Sequence, residues 1–122
     1  MISIKNTEEL FNFLREQNID SLGEGIKIGL DISQTPQRIE EFQNVRFLIV
    51  RQVEIEVIVA ENIEGYFEIR IFADSGRTRG RQITSLAEEI MNIISEEVDN
   101  FELVNSSRDD IGALLRQIIT YK

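Results

Sequence analysis

The feature that most constrains the fold is the segment 65–98, where the hydrophobic period changes from that of a strand to that of a helix. Its first part alternates apolar and polar residues, as half-buried strands do. The apolar positions there are Phe67, Ile69, Ile71 and Ala73. Its second part repeats apolar residues at helical spacing, which predicts an amphipathic helix over residues 82–98. Because such a helix has to bury its apolar stripe, the segment predicts a domain in which this helix packs across a sheet.

The junction between the two patterns carries three arginines, Arg77, Arg79 and Arg81. Serine and glycine residues around them favour a turn, so we expect an exposed turn over residues 75–81. A turn that leads into a helix can receive an anion, but the glycine spacing does not match a phosphate-binding P-loop. The arginines either pair with nearby carboxylates on a solvated turn, or contact an acidic surface such as a neighbouring subunit or DNA phosphates lining a channel.

The chain of 122 residues contains neither histidine nor cysteine. This composition excludes disulfides, thiol nucleophiles, serine–histidine triads and histidine- or cysteine-ligated metals. Carboxylate, lysine and tyrosine chemistry remains available, as does carboxylate-bound Mg²⁺ or Ca²⁺. We expect a binding or structural protein, not an enzyme, with no catalytic residue, cofactor or metal. The enzymatic alternative is a carboxylate-dependent reaction that uses Asp31 or Asp74.

The formal net charge is −9 at pH 7, which disfavours nucleic acid unless the cations are grouped. The acidic residues form scattered pairs that we expect on helix surfaces and turns, so this surface either keeps the protein soluble or meets a basic partner. No apolar run approaches the roughly 18 residues that span a bilayer. The first residues lack the pattern of a signal peptide. We expect synthesis in the cytoplasm and no membrane insertion.

The rest of the sequence predicts a single α+β domain over residues 1–122 with an antiparallel or mixed sheet. Asn6 or Thr7 is placed to cap a first helix over residues 8–17. Alternation in residues 26–32 predicts a strand. Residues 33–44 form either short helical turns or a surface loop.

The longest extended pattern covers residues 45–62, well beyond the roughly 5–6 residues of an average strand. It predicts one long bent strand, or two strands hinged near Arg51 and Gln52. From 45 to 59 its odd-numbered positions are apolar apart from Arg51, and we expect these apolar residues to share one face. Residues 61–65 predict a hairpin turn into the next strand.

The C-terminal pattern is ambiguous. Residues 101–104 predict a short strand and residues 105–110 a polar loop. The last segment, 111–121, fits a helical stripe capped by Asp109 or Asp110, but its β-branched residues favour a strand over 114–121 that closes the sheet.

The order helix, strand, loop, long hairpin, helix, strand, strand resembles that of the tail terminator and tail-completion (head–tail joining) proteins of bacteriophages. The most similar segments are FEIRIFADSGRTRGRQITSLAEEIMNII and the closing LLRQIITY. In that family an alternating hairpin strand precedes a polar stretch, and the next helix carries small and aliphatic residues, as at Leu86, Ala87 and Ile90. The family's last strand ends on basic, apolar and aromatic residues, here Arg116, Ile118 and Tyr121.

The resemblance implies a structural role in the virion tail or neck, after synthesis in the host cytoplasm. Such proteins form a homo-oligomeric ring, usually a hexamer of about six copies, at the head-proximal end of the tail. The ring caps the tail tube, joins it to the head connector and lets DNA pass without specific binding. The implied partners are further copies of the chain, the tail tube protein and head connector proteins. Within such a ring, Arg77, Arg79 and Arg81 are the predicted subunit or partner contacts.

A small acidic inhibitor or immunity protein is the alternative from a different functional class. It would bind a basic protein target through its carboxylates, as a monomer. Native mass distinguishes the two, because a ring contains about six copies and an inhibitor only one.

Overall fold

The computed structural model describes residues 1–17, 29–30, 42–50, 55–74 and 77–122, and within these ranges it contains two helices and six strands. The helices are α1 (Thr7–Arg15) and α2 (Arg77–Glu97). The strands are β1 (Gly29–Leu30), β2 (Phe42–Val50), β3 (Ile55–Asn62), β4 (Phe67–Asp74), β5 (Leu103–Arg108) and β6 (Leu114–Tyr121). They form one sheet in the order β1-β2-β3-β4-β6-β5, with every neighbouring pair antiparallel. The predicted α+β class is confirmed.

The long extended pattern forms two strands, β2 and β3, which pair antiparallel with Val50 opposite Ile55. The expected hinge at Arg51 and Gln52 lies between them, outside the described residues. The register sets position 48 opposite Val57 and position 49 opposite Glu56. Directly opposed residues share a face of a sheet, so the expectation that all odd-numbered positions share one face is wrong. From position 46 to position 50 of β2, the register places even-numbered positions opposite odd-numbered positions of β3. The alternation along the chain alone does not reveal this register.

The turn between β3 and β4 occurs where the sequence predicts it and is organised by Asn62. Its side-chain Oδ1 accepts hydrogen bonds from the N–H groups of Glu64 and Tyr66, at 2.9 and 3.0 Å. Its Nδ2 donates to the Glu68 carboxylate at 3.0 Å, and that carboxylate also accepts from Arg70 Nε at 2.9 Å. The Asn62 side chain thus supplies a hydrogen-bond acceptor for two backbone N–H groups of the turn.

The C-terminal segment is the predicted strand, since β6 spans Leu114–Tyr121. It pairs with β4 along eight positions, from Phe67 opposite Tyr121 to Asp74 opposite Leu114. The polar loop expected over residues 105–110 is wrong for residues 105–108, because β5 continues to Arg108, and only residues 109–110 lie outside a strand. Pairing with β6 satisfies the β5 backbone on one side, and polar side chains suit a strand at the edge of a sheet.

Helix α2 begins at Arg77 rather than at residue 82, so the expected turn over residues 75–81 is wrong from Arg77 onward. Arginine is a good helix former, and Gly80 lies inside the helix, where glycine costs roughly 0.5–1 kcal/mol relative to alanine. A methyl group at Gly80 would lie 3.8 Å from Leu115 Cδ1 and 3.9 Å from Arg108 Nη1. The Thr84 hydroxyl also donates to the Gly80 carbonyl at 3.0 Å.

One hydrophobic core includes residues from both helices and from β3, β4 and β6. Helix α2 contacts β4 and β6, and its buried apolar residues are Ile83, Leu86, Ala87, Ile90 and Ile94. Helix α1 contributes Leu10, Phe11, Phe13 and Leu14. Asn6 caps α1 by accepting from the Glu9 N–H at 2.9 Å, while Thr7 is its first helical residue. No helix in the described ranges is long and apolar enough to cross a membrane.

The N-terminal residues are held against the end of α2. Ile2 N–H donates to the Glu97 carbonyl and Asp99 N–H donates to the Ile2 carbonyl, both at 2.8 Å. The Asn100 side chain accepts from the Ile4 N–H at 2.9 Å and donates to the Ile4 carbonyl at 2.6 Å. These bonds satisfy the backbone around Ile4, whose side chain is buried.

Replacing Leu86 or Ile90 with alanine should lower the free energy of unfolding by roughly 2–5 kcal/mol, because each truncation leaves a cavity in the core. Denaturant titration followed by circular dichroism measures the change. Glu88→Ala, on the exposed side of the same helix, is the control and should change stability by less than about 0.5 kcal/mol. A loss below about 1 kcal/mol for both core variants would contradict the assigned helix face.

Alanine at Gly80 and at Gly112 should have opposite effects. Gly80→Ala should raise stability by roughly 0.5–1 kcal/mol, because alanine favours the helix and its methyl group meets only ordinary van der Waals contacts. Gly112 has a φ of 57° in the turn between β5 and β6. Gly112→Ala should therefore lower stability by roughly 1–2 kcal/mol. Thermal and chemical denaturation of both variants test this, and two changes of the same sign would contradict the assigned backbone.

Candidate interaction surfaces

The three predicted site arginines lie at the start of α2. Arg77 and Arg79 belong to its first turn, Arg81 follows, and the Arg81 side chain is exposed. The first turn contains no acidic residue. We call this surface, the α2 residues Arg77–Arg81, the basic end.

The basic end opposes the dipole of its own helix. A helix N-terminus carries a partial positive charge, so cations there are unfavourable by about 0.3–1 kcal/mol each at exposed positions. Arginine at these positions therefore lowers the stability of the isolated helix. Such placement is expected where the charges act on something outside the chain.

The opposite end of α2 is acidic. Glu96 and Glu97 occupy its last turn, which contains no basic residue, where the helix dipole favours cations. Further carboxylates lie in this half of the helix and just beyond it, at Glu88, Glu89, Asp99 and Glu102. We call these six residues the acidic end. Both ends of α2 thus carry the sign of charge that its dipole disfavours.

The hairpin between β5 and β6 lies beside the basic end, but its own charges are paired. Arg108 donates from Nε and Nη2 to the Asp110 carboxylate, both at 3.0 Å, and from Nη1 to Thr84 of α2 at 3.4 Å. Arg116 pairs with Asp109. The bonds from Arg108 and the Arg116 N–H hold the pKa of Asp110 below its usual value. The two hairpin arginines are therefore neutralised within the hairpin, and the exposed Arg81 of α2 lies beside it.

The tip of this hairpin exposes an isoleucine. Ile111 N–H donates to the Leu114 carbonyl at 2.8 Å and Leu114 N–H donates back at 2.9 Å, which closes a tight turn. Ile111 is 55% exposed. The sequence pattern placed Ile111 in an apolar stripe, and only the turn geometry reveals that it faces solvent.

A cleft of about 210 Å³ opens at the other end of the hairpin, between the last turns of α2 and the start of β5; its lining residues are mostly apolar, but about half of its surface is polar. Its lining consists of Met91, Ile94, Ser95, Val98, Phe101, Leu103 and Tyr121. Phe101 stacks between Phe67 and Tyr121, with ring centroids 5.0 and 5.2 Å apart. No signal in the sequence identified this cleft, because its residues come from three separate elements.

The described residues offer no metal centre, since they contain no group of three or more carboxylates placed to hold an ion. Asp109 and Asp110 are paired with arginines. Asp31 lies outside the described part of the chain, and Asp74 ends β4 opposite Leu114.

No protein-family model, curated protein or solved structure matches this chain. The resemblance to phage tail terminators rests on the sequence pattern alone.

Burial raises the pKa of the Tyr121 hydroxyl from 10.0 to about 12. Between these values the unfolded chain has lost the phenolic proton while the folded chain retains it, so stability falls as the pH rises from 10 to 12. The total loss should be roughly 3 kcal/mol. Denaturant midpoints across this pH range measure it. Tyr121→Phe keeps the aromatic ring and should remove this part of the alkaline loss; an unchanged pH profile would assign the loss to other groups.

Proposed function

We propose that this protein is a structural phage tail terminator or tail-completion protein. It assembles into a ring at the head-proximal end of the tail, caps the tail tube and joins it to the head connector. The sequence resemblance motivates this function. The observation that carries it is the charge arrangement of α2, with arginines at the N-terminal end and carboxylates at the C-terminal end.

Opposite charges at the two ends of one helix favour head-to-tail association. When the basic end of one copy faces the acidic end of the next, unlike charges meet at every interface. Such contacts join two different surfaces, and they close into a ring when the rotation between copies permits. The unfavourable placement of each charge on its own helix is then offset between subunits. Charge complementarity of this kind acts mainly on encounter rate and partner choice.

The proposed ring lets DNA pass without binding it tightly. Most of the chain is acidic, with a net charge of −9, and DNA affinity depends on concentrated cations. In the proposed assembly the basic end faces carboxylates of the neighbouring copy, so these arginines are not available to phosphates. The lumen is then left with little positive charge.

The acidic end also supports a second candidate function. Glu96, Asp99 and Glu102 are exposed around a cleft with mostly apolar lining residues, a combination that suits a basic protein target with an apolar anchor residue. On this alternative the protein is a monomeric inhibitor or immunity protein. Native mass spectrometry of the purified chain separates the two, because the inhibitor remains a single copy until its target is added.

Changing Arg77, Arg79 and Arg81 together to glutamate should block ring assembly and leave the monomer folded. The new glutamates agree with the helix dipole, so thermal stability should be unchanged or slightly raised. Assembly should fail because like charges then face each other at the interface. Circular dichroism reports the fold, and electron microscopy with tail tube and connector proteins counts the rings.

Two controls make the result specific. Changing Arg15, an exposed residue of α1, to glutamate reverses one charge outside both ends of α2 and should leave assembly intact. A variant with Glu88, Glu96 and Glu97 changed to arginine should also fail to assemble by itself. Mixing it with the Arg→Glu variant should restore rings in which the two variants alternate. Normal rings from the Arg→Glu variant alone would remove the basic end from the interface. A wild-type protein that assembles with no tail component would overturn the proposed function.

A further inference from the structure

We infer that Ile111 of one copy inserts into the cleft of the next copy, so that the two ends of the β5–β6 hairpin form a head-to-tail contact. This inference rests on the self-assembly that the proposed function requires, and it identifies the contact. It commits to a second copy of this chain as the occupant of the cleft.

The hairpin tip has the properties of an inserting group. Ile111 is 55% exposed at the end of a turn that is closed by two backbone hydrogen bonds to Leu114. The Arg108–Asp110 and Arg116–Asp109 ion pairs brace the same turn. Since the turn is already ordered, little conformational entropy is lost when it docks.

The cleft has the properties of a receiving site. Ile94, Val98 and Tyr121 are buried at its base, whereas Leu103 at its rim is 50% exposed. Its volume of about 210 Å³ exceeds the roughly 150 Å³ of a cavity that admits benzene. It is smaller than the roughly 300–1,000 Å³ of clefts that bind small molecules. A single branched aliphatic side chain suits this size.

Ile111, which we call the knob, and the cleft lie at opposite ends of one strand, β6. Ile111 lies in the turn just before β6, which begins at Leu114, and Tyr121, which lines the cleft, is the last residue of β6. Eight residues of strand span about 26 Å at 3.3 Å per residue. One copy therefore cannot fill its own cleft, so insertion of Ile111 has to join two copies. An apolar knob complementary to a distant pocket on the same molecule gives a head-to-tail contact, which closes into rings or extends into filaments.

The charges around the two surfaces are complementary. Gly80, within the basic end, lies beside Leu115 and Arg108 at the knob end of the hairpin. Asp99 and Glu102, both exposed, flank Phe101 at the cleft. Insertion of Ile111 therefore brings the basic end of one copy towards the acidic end of the next. This charge match, together with an exposed apolar side chain and a cleft with mostly apolar lining residues, selects a second copy as the occupant.

Cysteine cross-linking tests the contact directly, because the native chain contains no cysteine. Ile111→Cys and Leu103→Cys variants, mixed under mild oxidation, should form a covalent dimer, and the double variant should form a ladder of higher multimers. Ile63→Cys is the matched control, because Ile63 is also an exposed isoleucine in a hairpin turn, at 77% exposure. Paired with Leu103→Cys, it should cross-link at least about tenfold more slowly. Equal rates for the two pairs would overturn the inference.

Aspartate variants test the direction of assembly without a covalent bond. Ile111→Asp and Leu103→Asp should each weaken self-association of the purified chain at least about tenfold, as loss of an anchor residue does. Both positions are exposed, so circular dichroism should be unchanged, and Ile63→Asp should assemble normally. A mixture of the two disabled variants retains one intact knob and one intact cleft, and should stop at the dimer in analytical ultracentrifugation. Wild-type assembly by Ile111→Asp would overturn the inference, as would a mixture that stays monomeric.

The outcomes separate this contact from the proposed function. If the Ile111→Asp variant still forms rings with tail proteins, the proposed function stands and Ile111 is not the contact. If the chain associates head-to-tail through Ile111 but assembles with no tail protein when these are added, the contact stands and the proposed function is wrong. A wild-type chain that stays monomeric at all accessible concentrations would overturn the second copy as occupant.

Discussion

The pairing of β4 with β6 is the interaction on which the rest of the structure depends. Its eight opposed positions join the β2–β3–β4 strands to the β5–β6 hairpin, although α2 and β5 separate the two strands in the chain. Helix α2 contacts both strands, so its apolar stripe completes the core only once this ladder has formed. The ladder also fixes the interaction surfaces, since the two ends of β6 carry the exposed knob and the cleft.

The charges of α2 indicate a conflict between monomer stability and association. Arginines at the start of the helix and glutamates at its end each oppose the dipole, and each placement costs a few tenths of a kcal/mol or more. A sequence optimised for the isolated domain would exchange them. The proposed head-to-tail assembly gives this arrangement a physical reason, because each unfavourable end meets the opposite sign on a neighbour. Insertion of the apolar knob into the cleft would add buried apolar contact and therefore affinity, whereas the charges mainly affect encounter rate and partner choice.

Much of the secondary structure could be predicted from local patterns. The alternation in residues 67–73 and the helical stripe beginning at Ile83 are found as β4 and α2. The β-branched end of the chain is β6. The errors share one cause, which is that tertiary contacts override local signals. Gly80 suggested a turn but lies inside a helix beside Leu115, and the polar residues after Val104 suggested a loop but pair with β6.

The sequence by itself determined the α+β class, the absence of histidine and cysteine chemistry, and the presence of three arginines between a strand and the major helix. These properties depend on composition and on periods of a few residues, which are visible in one dimension. Only the tertiary structure decided the β2–β3 register, the exposure of Ile111 and the cleft between α2 and β5. Each of these depends on which distant residues become neighbours. That choice follows from the β4–β6 ladder and the shared core, so no local window of sequence contains it.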